Sequence, residues 1–70
     1  MERTNHYLIE RMNRLFPHFR AMAERHGMQL TKEWYMGLIS VQLWKGHDII
    51  ASQFNGYDEI EDYLKKEDAA

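Results

Sequence analysis

The segment Trp34 to Phe54, WYMGLISVQLWKGHDIIASQF, constrains the fold more than any other part of the chain. β-branched and aromatic residues flank Lys45-Gly46-His47-Asp48 on both sides. The pattern predicts two strands, 34–44 and 49–54, folded back on each other. With Gly46-His47 at the centre of a type II′ turn, glycine takes the position that needs a positive φ. That turn sets a register. Leu43 faces Ile50, Val41 faces Ser52 and Ile39 faces Phe54 on an inward side. Trp44 faces Ile49, Gln42 faces Ala51 and Ser40 faces Gln53 on the other. A slip of one residue would exchange the sides of every side chain. The competing reading is a helix over 31–44 capped by Thr31, against which Gly37, Ile39 and Val41 argue.

Residues 4–26 carry a helical stripe, with Leu8, Met12, Leu15, Phe19 and Met22 at alternating spacings of four and three. Thr4 or Asn5 is the expected N-cap and Gly27 the expected residue past the C-terminus. Pro17 removes one helical hydrogen bond, but it sits opposite the stripe, which continues in phase across it. The expectation is one kinked helix rather than a break at Phe16. A second, short helix is expected over 57–66. Asp58, Glu59, Glu61 and Asp62 load its start and Lys65-Lys66 its end, as the helix dipole favours. Residues 67–70 are expected to fray.

These elements make a small single α+β domain spanning 1–70, in the order α-β-β-α. A lone hairpin is marginally stable, so the sheet is a candidate for extension by dimerisation, edge to edge. The chain has no cysteine, which excludes disulfides and thiolate metal sites and fits a reducing, cytoplasmic setting. The charged first fifteen residues do not form a secretion signal. The longest nearly apolar run, Trp34–Val41, is too short to cross a bilayer, so no membrane partner is expected.

Charge is unevenly placed. Residues 1–33 hold six basic and four acidic residues, and residues 34–70 hold three basic and seven acidic. A net charge of −2 makes the whole chain a poor generic ligand for nucleic acid. One side of the first helix is nevertheless basic. Tyr7, Arg11, Arg14, His18 and Arg25 project together and would track a phosphate backbone if the chain were a nucleic-acid-associated regulator.

No catalytic or metal constellation emerges. His6, His18, His26 and His47 lie 12, 8 and 21 residues apart, never on adjacent helical turns. Ser40 and Ser52 fall on opposite faces in the register above, and His47-Asp48 is an adjacent pair at a turn tip. The chain is therefore read as non-enzymatic, with no cofactor.

The unexplained feature is an apolar surface on the side of the hairpin away from the core: Trp44, Ile49 and Trp34. Tryptophan is enriched at binding hot spots. Together with the acidic residues Asp58, Glu59 and Asp62, these are the expected partner contacts. The second strand followed by an acidic-start helix resembles small antitoxin-like domains over about a third of the chain, with no residue-by-residue correspondence. The reading is a small protein-binding module of the inhibitor, antitoxin or adaptor type, homodimeric, covering a protein partner's surface. Its compact, charge-segregated design suits a stand-alone blocking protein of a phage or other mobile element.

Overall fold

The computed structural model describes residues 2–69, with side chains from His6 onward. A long helix α1 (Glu2–Arg25) leads into three strands, β1 (Gln29–Tyr35), β2 (Leu38–Lys45) and β3 (Asp48–Phe54), followed by α2 (Asp58–Ala69). The strands form an antiparallel sheet in the order β1-β2-β3. The order is thus α-β-β-β-α, an α+β domain with one strand more than the sequence pattern suggested.

Helix α1 runs unbroken through Pro17, which is exposed. It begins at Glu2, so Thr4 and Asn5 lie inside it rather than capping it. Its C-terminus closes as a Schellman motif. Gly27 adopts φ +73°. The Gly27 amide donates to the Glu24 carbonyl at 3.1 Å, and the Met28 amide to the Ala23 carbonyl at 2.9 Å. Met28 and Ala23, the apolar pair such a motif brings together, are both buried.

The expected first strand, 34–44, is interrupted: its first two residues end β1, and residues 38–44 belong to β2. Met36 and Gly37 both take positive φ, 49° and 82°, as a type I′ hairpin turn requires. The chain reverses there, and the polar stretch QLTKEWY pairs with β2 from Gln29↔Trp44 to Tyr35↔Leu38. A methionine with positive φ is uncommon, and Met-Gly is not a usual turn signal. The alternative helix over 31–44 does not form.

The second turn falls where expected, with Gly46 at φ +65° and Lys45 opposite Asp48. Trp44 pairs with Ile49 as predicted. Beyond that point a β-bulge adds one residue to β3, and the pairs become Leu43↔Ala51, Gln42↔Ser52, Val41↔Gln53 and Ser40↔Phe54. A bulge reverses the facing of everything downstream. Ser52 and Phe54, expected inward, therefore point outward, and Ser40 and Ser52 share a face instead of opposing each other. Ile50 stays half-buried on the helix side.

Both helices cover the same face of the sheet. Met12, Phe19 and Ala23 of α1 meet Leu30, Ile39, Val41 and Leu43 of the strands and Tyr57, Ile60 and Leu64 of the C-terminal segment. Tyr57 stacks on Phe19 with ring centres 4.7 Å apart. The two helices are also joined at their C-terminal ends, where His26 Nε2 lies 2.6 Å from Asp68 Oδ1. That contact falls in the segment expected to fray. Residues 67–69 instead continue α2, and residue 70 lies outside the described residues.

Candidate interaction surface

The face of the sheet opposite the helices is open. Its side chains fall into four cross-strand rows set by the pairing. Gln29, Trp44 and Ile49 form the first row. Thr31, Gln42 and Ser52 form the second. Glu33, Ser40 and Phe54 form the third. Tyr35 and Leu38 form the last, beside the Met36-Gly37 turn.

In the middle of this face Thr31, Gln42 and Ser40 are joined by hydrogen bonds that also hold the Trp44 indole. The Trp44 indole Nε1–H donates to Thr31 Oγ1 at 2.8 Å, and the Thr31 hydroxyl donates to Gln42 Oε1 at 2.8 Å. Gln42 Nε2 in turn donates to Ser40 Oγ at 2.6 Å. A chain of bonds of this kind fixes the orientation of each member. It leaves Trp44 half-buried, lying down on the sheet rather than projecting from it.

The apolar exposure is concentrated near the β1–β2 turn. Among the described residues seven large apolar side chains are exposed, and five of them are Trp34, Tyr35, Met36, Leu38 and Phe54. Met36 is the most open, at 83%. Ile49, 51% exposed, stands at the opposite end of the sheet beside Trp44. Tyr35 and Phe54 were not expected on this face. The Met36-Gly37 turn brings Tyr35 onto it and the β3 bulge brings Phe54, whereas Leu38 shares the face of Trp44 by simple alternation along β2.

The residues expected to form one partner surface are divided by the sheet. Trp44 and Ile49 lie on the open face. Trp34 pairs with Ile39 and lies on the helix side, because the Met36-Gly37 turn changes the facing upstream of it. There it lines a shallow groove of about 180 Å³ with Ile9, Asn13, Lys32 and Ile39. Asp58, Glu59 and Asp62 belong to α2, which packs on the covered face. Asp58 borders a cleft of about 200 Å³ between the helices, across from Arg11. Glu59 and Asp62 border a hollow beside Ile50.

Tyr7, Arg11, Arg14, His18 and Arg25 are all exposed along α1. Among the described residues the ion pairs are His6–Glu10, Arg20–Glu24, His26–Asp68 and Glu61–Lys65, so Arg11, Arg14 and Arg25 close none. No group of three or more histidines and carboxylates among the described residues is arranged to hold a metal. No helix among them is long and apolar enough to cross a membrane.

No protein-family model matches the chain, and neither a curated protein nor a solved structure matches it significantly.

Proposed function

We propose that this chain is a small non-enzymatic protein-binding module, of the inhibitor, antitoxin or adaptor kind. It acts by covering a partner's surface with the open side of its sheet. The observation that supports this reading is the gathering of Tyr35, Met36, Leu38 and Phe54, all exposed, at one end of a sheet face that no helix covers. Contiguous apolar patches of this kind mark interaction sites in small proteins. Aromatic residues and methionine are the types enriched in interface cores. Trp44 and Ile49 extend the same face to its far end.

The test is affinity capture from the native cell with the wild-type chain and with Phe54→Lys, whose far-UV circular dichroism is checked first. A protein retained stoichiometrically by the wild type and lost by the variant supports the reading. Equal retention by both, or no specific protein, removes it.

A second reading rests on a different observation. Arg11, Arg14 and Arg25 are exposed on one side of α1 without carboxylate partners among the described residues, and Tyr7 lies beside them. Such a stripe suits a nucleic-acid-associated regulator. Binding would then weaken steeply with salt, and the Arg11→Ala, Arg14→Ala double variant would flatten that dependence in a gel-shift titration. No shift at low salt excludes it.

A further inference from the structure

We infer that the open face is covered, in the free protein, by a second copy of this chain packed sheet against sheet. This rests on the reading above that the face is a docking surface, and it names an occupant.

The edges of the sheet argue first. Strand pairing across an edge is the usual route by which a small sheet recruits a twin. Here both edges are blunted. On β1, Lys32 points to the helix side. Its ammonium lies 4.5 Å from the centre of the Phe16 ring, and it donates to the Asn13 side chain. An inward-pointing charge on an edge strand opposes pairing with another strand. On β3 the bulge at Ile50, opposite Leu43 and Trp44, breaks the regular ladder and increases the twist. Self-association is therefore directed to the face.

The charge pattern argues next. The chain has nine basic and eleven acidic residues, and Glu33 is the only one in the four rows of the open face. A partner of opposite charge finds nothing there to recognise. A second copy brings an equally neutral face and keeps its charged helices on the far side of the sandwich. The net charge of −2 on each copy is thus held apart by two sheet layers.

The layout is also self-complementary. The Trp44-Ile49 and Tyr35-Leu38 ends of the face are largely apolar, and the two rows between them are polar except for Phe54. A two-fold axis lying across the strands sets the Trp44 end of one copy over the Tyr35-Leu38 end of the other, with the Thr31 row over the Glu33 row. Within each copy Thr31, Gln42, Ser40 and the Trp44 indole are already hydrogen-bonded to one another, and Glu33 stands on the edge strand β1, at the rim of such an interface. Three strands about 4.8 Å apart and about 23 Å long offer, with side-chain relief, roughly 500 Å² per face. Two such faces reach the lower limit of about 1,000 Å² for a specific interface, so the dimer is weak and concentration-dependent.

The test is sedimentation equilibrium of the pure wild-type chain, of Phe54→Lys and of Arg14→Glu, from about 1 µM to about 1 mM, a range suited to a small interface. The expected result is a mass rising from one chain to two for the wild type and for Arg14→Glu, on the helix side. Phe54→Lys, with an unchanged far-UV spectrum, stays at one chain throughout. A wild type that remains monomeric at the highest concentration overturns the inference, as does a Phe54→Lys variant that dimerises like the wild type. The orientation is read separately. The chain has no cysteine, so Gln29→Cys and Tyr35→Cys single variants carry one thiol each. A cross-linked dimer that forms only when the two are mixed supports the two-fold across the strands, and its absence overturns that geometry. A monomeric wild type whose Phe54→Lys variant still loses the captured partner removes the twin and leaves the docking face. A dimer whose Phe54→Lys variant keeps its captured partner does the reverse.

Discussion

The Tyr57 hydroxyl donates to the main-chain carbonyl of Met12 at 2.6 Å, across 45 residues of chain. This bond joins the entry to α2 to the middle of α1, next to the turn that Pro17 weakens. Burial accounts for the company it keeps. Tyr57 is 5% exposed and stacked on Phe19, so its one polar atom needs an internal partner.

Tyr57→Phe at neutral pH should lower stability by about 1 kcal/mol, the usual net worth of one hydrogen bond. Its pH dependence is the sharper test. Burial pushes the Tyr57 phenol up from 10.0 to about 12. The unfolded chain then releases this proton first, so the stabilisation is complete below pH 10 and is lost as pH rises toward 12. The loss is about 2 to 3 kcal/mol. Urea unfolding between pH 9 and pH 12 should show this decline in the wild type and a shallower one in Tyr57→Phe.

Gly56 answers to a neighbouring side chain rather than to backbone strain. A Cβ there would lie 2.7 Å from Gln53 Nε2. Gln53 Oε1 accepts the Glu59 amide at 2.8 Å and so caps the start of α2. Gly56→Ala should therefore displace the cap and cost about 1 kcal/mol. The measurement is a double-mutant cycle by denaturant unfolding. Added to Gln53→Ala, the Gly56→Ala change should cost almost nothing further.

Thr31→Val keeps the shape of the side chain and removes the oxygen that receives the Trp44 indole. A half-buried N–H then loses its partner, at about 1 kcal/mol. In a Trp34→Phe background, where Trp44 is the sole indole, its fluorescence maximum should shift and its accessibility to a quencher rise. An unchanged spectrum would mean that Thr31 does not hold the ring.

Lys32→Val tests the edge. The lost contact with Phe16 is small, about 0.5 to 1 kcal/mol, and the added β-branched residue suits a strand. Folding stability should change by less than about 1 kcal/mol. Removing the inward charge frees β1 for strand addition, so light scattering should show species larger than two chains that the wild type lacks.

How much of this fold is legible in the chain depends on the kind of signal. The helical stripe from Leu8 to Met22 and the glycine after it place α1 to within two residues at its start and one at its end, because helix periodicity and a terminal glycine are local signals; the expected N-cap at Thr4 or Asn5 falls inside the helix. The Gly46-His47 turn and the Trp44–Ile49 pair are legible for the same reason. Strand β1 is not. Its residues include Lys32 and Glu33, and only pairing with β2 makes them a strand. The turn before β2 rests on Met36, which carries no turn signature.

The candidate surface shows the same division. Trp44, Ile49 and Trp34 stand out by residue type alone. Whether they share a surface depends on facing, and facing in a sheet changes with every single-residue insertion. The Met36-Gly37 turn carries Trp34 to the helix side, and the β3 bulge brings Phe54 out beside Leu38.

Local signals in the chain are enough for the two helices, the glycine that ends α1, the central hairpin turn and the apolar core residues of β2. These depend on contacts within a few positions of one another. The tertiary structure alone decided the third strand, the bulge and the side of the sheet on which each aromatic residue lies. Those follow from burying one face under two helices at once, a requirement that no short stretch of the chain expresses.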